Sequence, residues 1–386
     1  MTTETHTPLL IVGAGPFGLA MSAYARRLRL DHLVVGRTMS FWKSNMPEGM
    51  YLRSGPDWHF DPFNEDTIER YLATRDLGPA EADPLPLDLY LGYCEWFRRR
   101  KGIEVIQGHV RQLDRLDGTR PSFRAVLRDG RAITAENVLL ALGFGYFKHV
   151  PEPYPALFPP GRFAHTRDCV DFAPLEGKRV LIVGGRQSAF EWAALIRERG
   201  AQAVHLSYRH PTPSFETSDW SWVNPLVDSM PADPGWFRRL TVEEREEVGR
   251  RMWAEGRLKL EPWLAGRIAG GKVNLFPDSQ VTTCGESAGG ALEVGLSSGE
   301  ALTVDEVILA TGYKVDLSRV PLLARGNILA RLEVSNGFPA LDEHFRSNIP
   351  GLFFTSMCAT QDFGPFFAFT VSVRASAAVI GAALSV

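Results

Sequence analysis

The 386 residues carry 42 Lys plus Arg against 45 Asp plus Glu, a formal charge of −3, and 45% of them are hydrophobic. That balance excludes a global basic field for nucleic acid or an anionic membrane surface, and it supplies apolar side chains for more than one packed domain. The polar opening Met1-Thr2-Thr3-Glu4-Thr5-His6 lacks a charged-then-apolar signal pattern and no apolar run is long enough to span a bilayer, so a cytoplasmic protein is expected, with no nucleic-acid or membrane partner.

The first element, Leu9-Leu10-Ile11-Val12, reads as a buried parallel strand and runs into Gly13-Ala14-Gly15-Pro16-Phe17-Gly18. Helical periodicity follows from Phe17 to Leu30, and His32-Leu33-Val34-Val35 returns as a strand. This is a βαβ unit with a dinucleotide fingerprint: glycines give the tight turn, the approach of backbone to a pyrophosphate, and close helix packing. The returning strand ends in Gly36-Arg37, where a carboxylate would ordinarily hold ribose hydroxyls. A Pro- and aromatic-rich excursion occupies 41–86, long enough to be functional or to carry its own structure. A helix over Leu87 to Arg100 and strands near 103–106, 123–127 and 137–142 come next, the last ending in Gly143-Phe144-Gly145.

The Pro-rich stretch 150–160 reads as a hinge, and the βαβ pattern then repeats. Arg179 to Val183 is a strand, Gly184-Gly185-Arg186-Gln187-Ser188-Ala189 a second fingerprint, Ser188 to Arg199 a helix and Ala203 to Leu206 a strand. Here the strand end is Ser207-Tyr208-Arg209-His210, and a cation at Arg209 suits the 2′-phosphate of NADP. An insertion over 211–264 holds Trp220, Trp222, Trp236, Trp253 and Trp263; helical packing against the parent sheet is preferred to an aromatic substrate cage. Within it, Thr241 to Arg251 looks like a solvated helix face. Glu306 to Leu309 is a further buried strand ending at Ala310-Thr311-Gly312-Tyr313. A strand from Gly351, a loop over Thr360 to Pro365 and a small-residue helix close the chain. The expected fold is α/β with two Rossmann-like domains: 1–150 and 302–386 share one sheet, and 151–301 is inserted between them. Cys94, Cys169, Cys284 and Cys358 form neither a C-x-x-C pair nor a metal cluster, so they are expected to be small buried hydrophobes, with no metal site.

Taken together, these motifs resemble the single-component FAD- and NADPH-dependent monooxygenases, a group that includes flavin-containing, Baeyer-Villiger and N-hydroxylating enzymes. The likeness rests on Gly13 to Gly18; on Trp42, Asn45-Met46-Pro47 and Met50 ahead of Pro56-Asp57-Trp58; on Gly161 with His165-Thr166; on Gly184 to Ala189 with Glu191; and on Ala310 to Tyr313. Two departures stand out: Gly36-Arg37 in place of an acid, and Pro159 where the linker motif has phenylalanine. The resemblance implies that NADPH reduces FAD and that reduced flavin captures oxygen as a C4a-(hydro)peroxide, which oxygenates a small molecule. The Gln187-Ser188-Ala189 signature leans toward amine N-hydroxylation.

Under that reading Asn45, Arg53 and Asp57 are the catalytic candidates, Asn45 as a neutral amide near the oxygen adduct, or else simply as a turn residue before Pro47. FAD would be held by Gly13, Gly15, Pro16, Phe17, Gly18, Gly36, Arg37, Trp42, Met46, Val110, Gly143, Gly312, Asp362 and Phe363; NADPH by Gly184, Gly185, Gln187, Ser188 and Arg209. Asp362 and Phe363 are placed by the flavin ring on the expectation that the last helix points its N-terminus there. An NAD(P)H-dependent flavoprotein reductase without oxygen insertion is the alternative enzyme, and a redox sensor that has lost catalysis is the alternative of another class.

Overall fold

The computed structural model describes residues 5–118, 122–269 and 273–385. A seven-stranded sheet is built around Thr5–Val12, whose residues Leu9 to Val12 are buried, as a parallel strand covered on both faces requires. Across it run, in order, Ile106–Gln107, His32–Gly36, Thr5–Val12, Ala132–Leu140, Phe123–Leu127 and Val110–Arg115. Strand Ala132–Leu140 is shared along its length. Its first half pairs antiparallel with Phe123–Leu127, and its second half pairs parallel with Leu352–Phe354, so the C-terminal segment completes the first sheet. Helix Pro16–Arg27 starts with proline at a position whose N–H has no helical partner. It packs against the last helix, Val373–Leu384, where a Cβ on Gly381 would collide with the Tyr24 ring; the small residues of that helix permit the close approach.

The second sheet is wholly parallel, in the order Val273–Phe276, Ala203–Ser207, Arg179–Val183, Glu306–Leu309, Phe163–His165. Glu306–Leu309 therefore belongs here, with Glu306 opposite Val180, and not to the first sheet as the 301/302 boundary implied. A short apolar run ending in glycine reads the same for either buried sheet, and only the pairing separates them. An antiparallel meander, Val281–Glu286, Leu292–Leu296 and Ala301–Val304, leads into it. The chain then recrosses at Ala310-Thr311-Gly312.

The insertion stands on a short parallel pair, Ser214–Phe215 with Lys259–Leu260, and carries helices Val223–Asp228, Trp236–Arg239 and Val242–Arg257. It does not pack mainly on its parent sheet. Val223, Val227, Met230, Phe237 and Met252 join the core of the first domain instead. Trp222 and Trp236 meet Phe366 at 6.5 and 6.2 Å between ring centroids, and Trp220 meets Trp58 at 5.9 Å. Trp263 alone of the five packs on the second core, and Trp253 is 48% exposed. Helix Val242–Arg257 opens with a capping box between Thr241 and Glu244 and buries Met252, so most of its surface is solvated. Among the described residues no helix is long and apolar enough to cross a membrane.

The two crossings between domains are tied together. His149 N–H donates to Gly312 O at 2.9 Å, and Thr311 Oγ1 donates to His149 O at 2.5 Å. His165 accepts from Arg167 N–H through Nδ1 at 3.1 Å and donates from Nε2 to Gly312 O at 3.0 Å, which fixes the neutral Nε2–H tautomer. Burial holds its pKa down to about 4, so the ring stays neutral.

Candidate active site

Elementary sterics make the first turn. Gly13 takes φ 120°, and a Cβ there would collide with Ala141 O. Gly18 is pressed against the Gly13 carbonyl, so its lack of a side chain serves packing rather than contact with a cofactor. Gly15 has nothing within 4 Å of the place its Cβ would take. That open face gives onto a cavity of about 620 Å³.

This cavity gathers Gly13, Gly15, Pro16, Phe17, Gly36, Arg37, Trp42, Asn45, Met46, Val110 and Gly143 from several elements. It also holds residues the sequence reading did not nominate: His109, Arg128, Phe144, Tyr146, Arg167, Phe369 and Thr370. Arg167 follows directly on the His165-Thr166 motif and was within reach of that signal. Arg128 and His109 lie at strand ends with no motif around them. Among the described residues lining the cavity there is neither a carboxylate nor a cysteine. A concave site with glycine-turn backbone at one wall and cations around it fits a dinucleotide flavin.

Toward the second domain, Asn45 Nδ2 donates to Arg167 O at 2.9 Å, so the amide joins the excursion to the crossing. Arg167 pairs with Asp168 at 2.6 Å, while its Nε is buried without a partner among the described residues. Phe41 and Phe144 line the cavity with centroids 5.6 Å apart, and Tyr313 packs against Phe144 from behind, at 5.0 Å.

Register corrects the reading of the second turn. Gly184 takes φ 141° against Ala310 O, as Gly13 does against Ala141, and the helix N-caps are Gly15 and Arg186. Arg186 thus stands where the approach glycine of the first turn stands. Gly185 is needed for another reason: its Cβ would lie 2.5 Å from Tyr208. The Arg186 guanidinium stacks over Trp253 at 3.6 Å and leaves Nη1 buried without a partner among the described residues. Burial, then the charges of Arg257 and Arg209, push its pKa down to about 10. Arg257 is one helical turn beyond Trp253, on the same helix face. Arg209, exposed at the strand end, has no side-chain partner among the described residues. Gln187 Oε1 accepts from Glu261 N–H at 3.1 Å, and Ser188 is exposed in the first helical turn.

Other nominated residues lie elsewhere. Arg53 is a clamp, paired with Glu261 at 2.8 Å and bonded to Gly256 O and Ser218 Oγ, and it does not line the cavity. Asp57 accepts from Asn224 Nδ2 at 3.2 Å on the insertion side. Asp362 pairs with Arg238 at 3.0 Å and accepts from Leu341 N–H, while Phe363 stacks on Phe345 with centroids 3.7 Å apart. The last helix begins only at Val373, so Ala368 to Thr370 reach the cavity in their stead. Gly312 acts at the crossing, as acceptor for His149 and His165. All four cysteines are free, with Cys94 and Cys358 buried.

The pattern of the pyridine nucleotide-disulphide oxidoreductases matches residues 7–372. The chain belongs to that family. It is a pyridine-nucleotide oxidoreductase by family, built on two Rossmann-like domains. A trimethylamine monooxygenase of Methylocella silvestris is 28% identical over 267 residues, 60% of this chain and 57% of that protein. A ferredoxin–NADP reductase of Burkholderia vietnamiensis is 28% identical over 224 residues, 57% of this chain and 56% of its own. The chain thus spans little more than half the length of these curated relatives. The solved ornithine N-hydroxylase of Kutzneria sp. 744 superposes with TM-score 0.80 at 15% identity, covering 98% of this chain and 99% of that one, which shows a shared fold.

Proposed function

We propose that the protein is a cytoplasmic FAD- and NADPH-dependent monooxygenase that oxygenates a small molecule, with amines as the preferred substrate class. The observation that carries this reading is the cavity: the stacked Phe41 and Phe144 rings and a neutral amide, Asn45, with no cysteine among its described lining residues. A disulfide relay has no thiol to work with there, so electrons from the pyridine nucleotide need another acceptor. The N-hydroxylase architecture and the trimethylamine monooxygenase relative support dioxygen as that acceptor and an amine as substrate. Four free thiols agree with a reducing compartment.

When bound, NADPH supplies a hydride and FAD carries the electrons to oxygen. The chain's part is positioning and exclusion of water. Gly15 and Arg186 present the two helix N-termini to pyrophosphates, and Arg209, Arg186 and Arg257 offer three cations to a 2′-phosphate. The Phe41, Phe144 and Tyr313 rings keep water from the reacting region. Asn45 is held by Arg167 O and keeps its second N–H and its Oδ1 for the reacting atoms, with no proton to give up at neutral pH.

The test is to compare NADPH oxidised with hydrogen peroxide released, with and without candidate amines. A substrate should lower peroxide well below the NADPH consumed, and Asn45→Ala should raise it again. Full peroxide release across amines, sulfides and ketones, or efficient reduction of ferredoxin instead, selects the reductase reading that the Burkholderia relative favours.

A further inference from the structure

The strand-end acid that ordinarily holds a dinucleotide's ribose is missing from the first site, and the structure shows why it cannot stand at residue 36. A Cβ on Gly36 would lie 2.9 Å from Ala14 N and 3.1 Å from Ala14 Cβ, inside the fingerprint turn itself. What the strand ends bring instead is two arginines and an imidazole. Arg37 follows one strand, His32–Gly36, and Gly108-His109 follows the next, with Gly108 N–H donating to Gly36 O at 3.3 Å. Arg128 follows Phe123–Leu127 and donates its N–H to His109 O at 2.9 Å. All three line the cavity.

We propose that a bracket of two cations, Arg37 and Arg128, with the neutral imidazole of His109 between them in the field of both, holds the adenosine diphosphate half of FAD, in place of the usual carboxylate contact to the ribose. The proposal rests on the reading that FAD occupies this first site. Arginine carries only donors, so it meets the phosphate oxygens as charge and the ribose hydroxyl oxygens as acceptors. Neither Arg37 nor Arg128 has a side-chain partner among the described residues, whereas neighbouring Arg131 is matched by Asp129 at 2.7 Å. Glu95 borders a notch on the other side of Arg37, but it is taken by Arg98 and Arg99, each at 2.8 Å. Burial, then the charges of Arg128 and Arg37, depress the pKa of His109, which places the three groups in one another's field. Both arginines are exposed at the mouth of the cavity, where two unmatched cations make it attractive to an anion. Position supplies a second argument. Val12 pairs with Val35 in the first sheet and Val183 with Ser207 in the second, so Arg37 and Arg209 occupy the same place in their domains. The first site thus carries the arginine that in the second site suits phosphate.

The full chain, stripped of flavin, is titrated with FAD by flavin fluorescence at low and high salt, for the wild type, Arg37→Glu and Arg128→Gln. Arg37→Glu restores a carboxylate beside the ribose position. It should nevertheless raise the FAD Kd about 10- to 100-fold, and Arg128→Gln about tenfold with a shallower salt dependence, the scale of a lost charge-assisted hydrogen bond. Equal or tighter FAD binding by Arg37→Glu overturns the proposal. Should circular dichroism show that variant unfolded, the wild-type salt series and Arg128→Gln decide: an FAD Kd indifferent to both overturns it. A wild-type chain that binds no FAD in either buffer overturns the cofactor reading itself.

Discussion

The two dinucleotide turns solve one steric problem in opposite ways. In the first, the strand gives way: Gly36 is bare so that Ala14 in the turn can be close to it. In the second, the turn gives way: Gly185 is bare so that Tyr208 on the strand can fill the space. The approach position differs as well, open at Gly15 and occupied by Arg186 in the second, where the guanidinium turns onto Trp253 of the insertion. One architecture therefore yields a deep cavity at the first site and a surface clasp of cations at the second. The helices after the turns diverge in the same sense: Ala20 is a plain core residue, while the matching Glu191 is a buried carboxyl that accepts from Tyr51 N–H at 2.9 Å.

That last difference offers the largest effect by which the comparison can be broken. Burial raises the Glu191 pKa from 4.5 to about 7, so the folded chain holds a proton that the unfolded chain releases. Its contribution to stability is complete below pH 4.5 and is lost as pH rises through about 7. Glu191→Gln should therefore match the wild type in acid and exceed it by about 3 kcal/mol above pH 8, read from denaturant unfolding across pH. A constant offset at every pH would place the carboxyl outside this account.

Next in size is the clasp. Arg209→Ala should weaken NADPH about 10- to 100-fold and leave NADH unchanged, because only the 2′-phosphate contact is removed. Equal losses for both nucleotides would mean that the arginine supports the turn rather than the phosphate. Gly18→Ala drives a methyl onto the Gly13 carbonyl and should cost about 1–3 kcal/mol of stability, with flavin lost. The reciprocal change, Ala189→Gly, should cost only about 1 kcal/mol, since the second turn already holds a methyl there. Comparable losses in the two variants would erase the distinction between the turns. Smallest should be Trp253→Ala, which removes a stacking face worth about 1 kcal/mol and should shift NADPH affinity by several-fold at most.

What could be read from the sequence follows the same line. Strands such as Leu9 to Val12 and Val180 to Val183 are local patterns, and the glycines that follow them demand turns, so both βαβ units were legible. Long-range pairing was not. Glu306–Leu309 could enter either sheet on composition, and the insertion's apolar residues could have covered its parent sheet as readily as the first domain. In the second fingerprint Gly184 and Gly185 read as the turn and approach glycines, because spacing alone does not reveal that Tyr208 claims the second of them. Arg53, a charged residue beside a motif, looked chemical and proved to be a clamp; Arg128 and His109, outside any motif, reach the cavity only through strand-end geometry.

The most direct test of the central claim is to run NADPH oxidation under isotopically labelled dioxygen with an amine substrate found by the peroxide assay, and to weigh the product. An oxygen atom from dioxygen in the product is the predicted result. An unlabelled amine, with all reducing equivalents recovered as hydrogen peroxide or on an added electron acceptor, would contradict the account.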